Sequence, residues 1–262
     1  MSRRKKLSII VPSFRQEKTI VRNIKSLQKS LVSIGIPYEI IIVIDGEVDN
    51  TKKKLANLKG KTIKIISYQQ NVGKGFAVRR GMLQAEGDVI GFIDAGFDIE
   101  PEGISMLLNH MIWYDADIIV GSKLHPVSKV HYPFFRRVLS WGYRTYTHTL
   151  FGFKVKDTQV GVKLFKKKVV RDVFPRLLVK QFAFDIEVLA VSYSLGYTRI
   201  YEAPIKLDFT GMSTIASKGF WNVIRLMLWD TLAVYYRLKI IKYYQKPHLQ
   251  RKERRKAKIE KE

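Results

Sequence analysis

The 262-residue chain contains no cysteine, which removes disulfides, thiolate-bound zinc, iron–sulfur clusters and thiol nucleophiles together and fits a cytoplasmic protein. It also lacks an apolar run long enough to cross a bilayer: the greasiest stretch, residues 220–241, is interrupted by Arg225, Asp230, Arg237 and Lys239. Such a segment suits lying on a membrane better than spanning one. Residues 7–11 follow a basic start but stop at Pro12, too short for the apolar part of a signal peptide. No G-x-G-x-x-G follows that first apolar run, so a dinucleotide-dependent dehydrogenase is disfavoured, and Asn71-Val-Gly-Lys-Gly75 lacks the spacer and the Ser/Thr of a Walker A loop. Acidic residues are scarce, 23 against 47 Lys and Arg, and the formal net charge of +24 calls for an anionic partner. Nucleic acid, an anionic membrane surface and phosphorylated small molecules all qualify.

What is present is a core. At 46% hydrophobic and 12% aromatic the chain can bury one sizeable interior. Residues 7–11, 38–44, 63–68, 89–93 and 118–120 are β-branched apolar runs of the kind found in buried parallel strands. Between the first two, Ile20, Ile24, Leu27, Leu31 and Ile34 step by fours and threes along one helical face, and Ile104, Leu107, Leu108 and Met111 repeat the pattern. Alternating strands and helices predict an α/β, doubly wound sheet that binds ligands at the carboxyl ends of its strands. Helical patterns over 136–150 and 186–194, a short strand over 199–201 and the amphipathic stretch after Phe220 complete the same domain. Beyond it, the last residues are dense in Lys and Arg against only Glu253, Glu260 and Glu262, the pattern of a solvated, disordered tail.

Two strand runs end in carboxylates, at Asp45-Gly46 and at Asp94-Ala95-Gly96-Phe97-Asp98. A carboxylate there can bond a base or ribose, or hold a divalent cation against a diphosphate; an Asp-Gly pair is equally a good turn. The glycines of Asn71-Val-Gly-Lys-Gly75 open a helix and permit close approach of phosphate. Arg136 and Ser140 lie one helical turn apart, so both can face one phosphate.

These residues carry a resemblance. Leu7-Ser-Ile-Ile-Val-Pro-Ser-Phe14, Asp45-Gly46, Asn71-Val-Gly-Lys-Gly75, Gly87-Asp-Val-Ile-Gly-Phe-Ile-Asp-Ala95, Ala116-Asp-Ile-Ile-Val-Gly-Ser122 and Asp157-Thr-Gln-Val-Gly-Val-Lys-Leu-Phe165 follow one another in the order of family 2 glycosyltransferases of the GT-A fold. Each motif alone is weak; six in order are specific. Within the family the chain most resembles the polyprenyl-phosphate sugar synthases, which move a sugar from a nucleotide-sugar to dolichyl or polyprenyl phosphate with inversion. Phe182-Ala-Phe-Asp-Ile-Glu187 makes it similar to the dolichyl-phosphate glucosyltransferases more than to the mannosyl branch.

The resemblance implies a Rossmann-like mixed sheet in a single GT-A catalytic domain over 1–241, with interfacial amphipathic helices over about 216–241 and the basic tail over 242–262. It implies that Pro12, Ser13, Phe14, Glu17, Asp45, Gly73, Lys74, Asp94, Ala95 and Gly96 border the nucleotide. Asp94 and Ala95 match the first two places of the family's D-x-D motif, but the third is Gly96; Asp98, two residues on, can supply a second carboxylate to a weakened Mg²⁺ or Mn²⁺ site. Arg15-Gln16 likewise stands where the family usually has Asn-Glu. Lys123, Arg136 and Ser140 are expected to hold the acceptor phosphate. Asp94, Asp185, Arg136 and Lys123 form the expected catalytic set, with Asp185 and Glu187 either a catalytic carboxylate pair or acids at a helix start.

The implied partners are a nucleotide-sugar (UDP-glucose or GDP-mannose), a polyprenyl phosphate and the cytoplasmic side of a membrane, with the protein peripheral. A family 2 enzyme with a saccharide acceptor is the nearer alternative, although the Gln-x-x-Arg-Trp signature of processive members is missing. A basic nucleic-acid-binding protein is the more distant one; no helix-turn-helix, RNP or zinc signature supports it.

Overall fold

The computed structural model describes residues 5–56, 58, 60–96, 99–131, 134–208 and 220–246, with the backbone alone at 129–131, 134–138, 207, 208 and 220. The strands are β1 (Leu7–Ser13), β2 (Tyr38–Asp45), β3 (Ile63–Tyr68), β4 (Val89–Ile93), β5 (Ile118–Ser122), β6 (Lys129–His131), β7 (Val162–Lys166), β8 (Ile200–Pro204) and β9 (Lys206–Asp208). The helices are α1 (Ile20–Ile34), α2 (Thr51–Leu55), α3 (Lys74–Gln84), α4 (Gly103–Trp113), α5 (Phe134–Phe151), α6 (Lys167–Val173), α7 (Phe184–Ser194) and α8 (Phe220–Tyr235), the last running on into a π-helical turn, Tyr236–Ile240.

Seven strands form one sheet in the order β3-β2-β1-β4-β7-β5-β8, and β6 pairs with β9 in a small second sheet. The main sheet is buried on both faces, which explains its nearly continuous apolar strands. Ile9, Val11, Ile40, Ile42 and Ile44 pack with Ile20, Ile24, Leu27, Leu31, Leu107 and Met111 on one side. Ile10, Ile41, Val43 and Phe92 pack on the other with Val78, Met82, Phe174, Phe184 and Leu189. The helix expected from the Ile20–Ile34 spacing is α1 itself, and it stops at Gly35, whose φ of 73° is left-handed and whose N–H donates to Val32 O at 3.1 Å.

One central strand was not legible as a strand. β7 is inserted antiparallel between β4 and β5, pairing Gly91 with Leu164 and Ile119 with Leu164. Its run Val-Lys-Leu-Phe-Lys carries a lysine, Lys163, with no exposed surface, so the apolar signal is broken by a charge that is nevertheless interior. Because β7 runs against its neighbours, its start reaches the carboxyl edge of β4, where Asp94 N donates to Gly161 O at 3.0 Å.

The packed chain also extends past the expected boundary at 241. Tyr244 is fully buried: its carbonyl accepts from Arg176 Nη1 at 2.6 Å and its hydroxyl donates to Glu187 Oε1 at 2.5 Å. α8 is two-sided. Thr231 and Val234 of α8 and Leu238 of the π turn face inward, and Thr231 Oγ1 hydrogen-bonds Tyr143 of α5 at 2.7 Å, whereas Trp221 and Trp229 are 73% and 71% exposed. The rest of the expected tail, 247–262, lies outside the described residues.

The β4–β7 contact yields a stability test. A Cβ at Gly91 would lie 2.3 Å from Leu164 Cδ2 and 2.5 Å from the Lys163 carbonyl, and the backbone has no room to yield. Gly91→Ala is expected to lower unfolding free energy by about 1–3 kcal/mol, read as a reduced urea midpoint; an unchanged midpoint would contradict this packing.

Candidate active site

At the carboxyl end of β1, Ser13 is buried and its Oγ has no hydrogen-bond partner; Pro12 and Phe14 are half-buried beside it. Arg15 takes a left-handed φ of 53° and sets its guanidinium 5.2 Å from the centre of the Phe14 ring. Glu17 accepts from Asn50 N at 3.0 Å, and its own N–H donates to Asp49 Oδ2 at 3.2 Å. Glu17 therefore clamps the loop after β1 to the loop after β2.

Asp45, at the end of β2, is 3% exposed and spends its carboxylate on the chain itself. Oδ1 accepts from Val72 N at 2.7 Å, and Oδ2 from Gly73 N at 2.9 Å and Asn71 Nδ2 at 3.0 Å. This shapes the turn into α3. Gly73 has a φ of 124°, and a Cβ there would meet Lys180 O at 2.4 Å; one on Gly75 would meet Phe184 Cβ at 2.6 Å. The glycines of the motif thus let the turn press against the 179–184 segment.

Lys74, first residue of α3, reaches across to Asp94. Its Nζ donates to Oδ2 at 2.9 Å and lies 2.8 Å from Oδ1, which is buried and accepts no hydrogen bond. Behind Lys74, Asp185 Oδ2 lies 3.9 Å from the same ammonium, while Asp185 Oδ1 accepts from Lys163 Nζ. Lys163 also donates to Val160 O at 2.8 Å. The result is a row of alternating charge, Asp94, Lys74, Asp185, Lys163, running from the edge into the core. Burial opposes the Lys74 charge, but Asp94 and Asp185 outweigh it and hold this ammonium above its usual pKa. At Lys163 burial wins and pulls the pKa down, against the attraction of Asp185.

Asp185 is thus buried behind Lys74, and Glu187 is deeper still, with no exposed surface. Glu187 accepts from Leu178 N at 3.0 Å and Val179 N at 2.8 Å as well as from Tyr244. Burial raises its pKa despite those donors. It is placed to hold the 178–179 segment and the end of the chain.

Asp94 carries the oxygen donors that a hard cation takes, although in this structure the Lys74 ammonium lies 2.8 Å from Oδ1 and 2.9 Å from Oδ2. Gly161 makes the space for it: a Cβ there would lie 2.1 Å from Asp94 Oδ2. Among the described residues no three His, Cys, Asp or Glu side chains gather for a metal, so a cation would take most of its ligands from a diphosphate and water. Ala95 is buried, and its carbonyl accepts from Asn23 Nδ2 at 2.8 Å. A Cβ on Gly96 would meet nothing within 4 Å, so the missing third carboxylate leaves open space there. Asp98 lies outside the described residues.

On the other side of the 157–161 segment a cleft is lined by Lys123, Ser140, Tyr143, Arg144, Lys156 and Gln159, among others. Asp157 steadies Lys123, accepting from its backbone N at 2.9 Å and lying 3.8 Å from its Nζ. Arg136 is in the first turn of α5, and its side chain is not among those described. Arg144 and Lys156 join this cleft beyond the residues expected from sequence. The signal for Arg144 was available: it follows Ser140 by four residues, as Ser140 follows Arg136, which puts a basic stripe on one face of α5.

Comparison with known proteins agrees with this fold. The profile of Glycosyl transferase family 2 matches residues 8–174. A dolichyl-phosphate beta-glucosyltransferase of Dictyostelium discoideum is 32% identical over 205 residues, 72% of this chain and 63% of the relative; the chain thus spans less than two thirds of that protein. The human protein of the same name is 28% identical over 240 residues, 85% of this chain and 72% of the relative. In three dimensions, glucosyl-3-phosphoglycerate synthase from Mycobacterium tuberculosis, solved with Mn²⁺, uridine-diphosphate and phosphoglyceric acid, superposes with a TM-score of 0.67 at 17% identity, covering 88% of this chain and 78% of that one. With the ordered motifs, the mixed seven-stranded sheet and the family profile over most of the sheet in agreement, the chain belongs to glycosyltransferase family 2.

Proposed function

We propose that this protein is an inverting glucosyltransferase that moves glucose from UDP-glucose to dolichyl or another polyprenyl phosphate, working as a peripheral protein on the cytoplasmic side of a membrane. The observation that carries the reading is the pairing of two anion-handling places across one segment: the Lys74–Asp94 contact at the carboxyl edge, and the cleft of Lys123, Ser140, Arg144 and Lys156 beside it. The names of the relatives favour glucose over mannose.

In this reading Pro12, Ser13, Phe14, Glu17, Gly73, Ala95 and Gly96 border the nucleotide; the buried unpaired Ser13 Oγ is a polar group awaiting a partner there. Asp45 acts through the turn it holds. Lys74 faces the diphosphate and steadies the charge that develops on it as the sugar departs. A divalent cation, Mg²⁺ or Mn²⁺, held by Asp94 and, by the sequence reading, Asp98, would supply further charge neutralisation at that leaving group. Lys123, Arg136 and Ser140, with Arg144 and Lys156, hold the attacking phosphate. That phosphate monoester has a second pKa near ~6 and is largely ionised at neutral pH, so the chain needs no strong base to activate it. Catalysis is therefore mainly positioning and charge stabilisation, and Asp185, buried against two lysines, serves as a positioning residue.

A lipid acceptor requires docking. No helix among the described residues is long and apolar enough to cross a membrane. The outer face of α8 and the turn after it expose Trp221, Leu226, Trp229, Leu232, Tyr236 and Ile240, and α5 exposes Trp141 nearby on its partner helix. Aromatic and apolar groups flanked by the exposed Arg225 and Lys239 suit the headgroup region, and the basic tail adds attraction to anionic lipid.

Incubation with radiolabelled UDP-glucose and dolichyl phosphate is expected to carry label into the organic phase, more than GDP-mannose does, and excess EDTA is expected to abolish transfer. No label from either donor would overturn the reading. Arg144→Ala and Lys156→Ala are each expected to raise KM for the polyprenyl phosphate about tenfold, leaving KM for UDP-glucose little changed, as loss of a charge-assisted contact predicts. Replacing Trp229 and Leu232 together by Ser should reduce flotation with phosphatidylserine vesicles while leaving the melting temperature in place, since both side chains are on the outer face; equal flotation would dismiss this docking face.

A further inference from the structure

Among the described residues Lys163 is the largest charged side chain with no exposed surface, and none of the roles above uses it. It sits in the second position of the central antiparallel strand, with its Nζ 5.4 Å from the centre of the Phe92 ring. The Lys74 ammonium lies 5.7 Å from the centre of the same ring. Both lysines look to Asp185, one to each carboxylate oxygen. Asp185 is itself 3% exposed, so water cannot balance its charge and its two lysines must.

We infer that Lys163 is a positioning residue for the leaving diphosphate: by neutralising Asp185 from the core side, it leaves Lys74 extended toward Asp94 and the nucleotide. The two contacts of Asp185 are unequal. Lys163 makes a direct hydrogen bond, whereas Lys74 stands off at 3.9 Å and bonds Asp94 instead. Were Lys163 uncharged, the nearest cation able to compensate a buried carboxylate would be Lys74, whose flexible side chain can swing back. The ammonium would then be drawn off the edge where the diphosphate is expected. Val160 O, the other acceptor of Lys163, belongs to the segment that also carries Gly161 under Asp94, so the lysine also fixes the backbone on which that carboxylate rests.

This inference rests on the nucleotide part of the proposed function, and its test reads UDP binding and melting temperature rather than transfer. Lys163→Met keeps the unbranched side chain, one atom shorter, and removes the charge; UDP affinity, measured by calorimetry with Mg²⁺ present, is expected to fall at least about tenfold. Adding Asp185→Asn removes the charge left behind, and the double variant is expected to recover to within about threefold of the unaltered protein. A merely structural lysine would give no such recovery, and affinity would track melting temperature in both variants. UDP binding by Lys163→Met within about twofold of the unaltered protein, or a double variant that binds no better than the single one, overturns the inference. Should Lys163→Met fail to fold, the neutral pair decides alone: binding within about threefold supports the inference, and binding tenfold weaker overturns it. An unaltered protein that binds UDP yet transfers no sugar to dolichyl phosphate would overturn the acceptor reading and leave this inference standing.

Discussion

A lysine and an aspartate, both shut off from water, face each other at the centre of this protein, and much of its organisation follows from the need to keep them together. Taking either charge out of water costs several kcal/mol, recovered only if the partner and additional acceptors are in place, and loss of one partner from such a pair typically costs about 3–5 kcal/mol. Lys163 therefore ties the register of β7 to the start of α7, which carries Asp185. The carbonyl of Val160 is a second acceptor for the ammonium and so shapes the chain just before β7. Outward from the pair, Lys74 and Asp94 continue the alternation to the sheet's carboxyl edge. The buried pair and the pair at the edge are thus consecutive links of the same row.

The second organising carboxylate is Asp45, and it works by another route. Among the described residues it pairs with no ammonium; its three short contacts are to two backbone N–H groups and one side-chain amide of the turn that launches α3. That turn then presses its glycines against the 179–184 segment, which Glu187 grips from the other side through Leu178 and Val179. Lys74 is accordingly held by backbone on both flanks, which restricts where its flexible side chain can start even though its ammonium can move. Pre-set donors and charges of this kind need little reorganisation when charge develops on a leaving group.

Sequence pattern located the parts of the fold whose hydrophobic period is clean. The spacing of Ile20, Ile24, Leu27 and Leu31 marked a helix that forms over Ile20–Ile34, and the apolar runs ending at Asp45 and Asp94 are strands that put those carboxylates at the expected edge. It failed at β7, because a charged residue inside an apolar run reads as a surface position, and the partner that makes its burial tolerable is 22 residues away. It failed for Tyr244 for the same reason: a tyrosine beside a basic tail gives no hint of a buried glutamate 57 residues earlier. Motif order brought Asp94, Lys74 and Lys123 to the right edge, but the burial of Asp185 behind Lys74, and the spending of the Asp45 carboxylate on its own loop, depend on pairings that only three dimensions reveal.

The antiparallel entry of β7 makes one short stretch of chain a party to everything at the edge. Asp157 holds Lys123, Thr158 and Gln159 line the cationic cleft, Gly161 gives Asp94 its space and Lys163 neutralises Asp185. Seven consecutive residues thereby form a common wall between the Lys74–Asp94 edge and the cationic cleft. A substitution that shifts this wall moves both places at once, so in the function proposed above the spacing between attacking and departing groups would be a property of a single peptide rather than of two independently adjustable pockets.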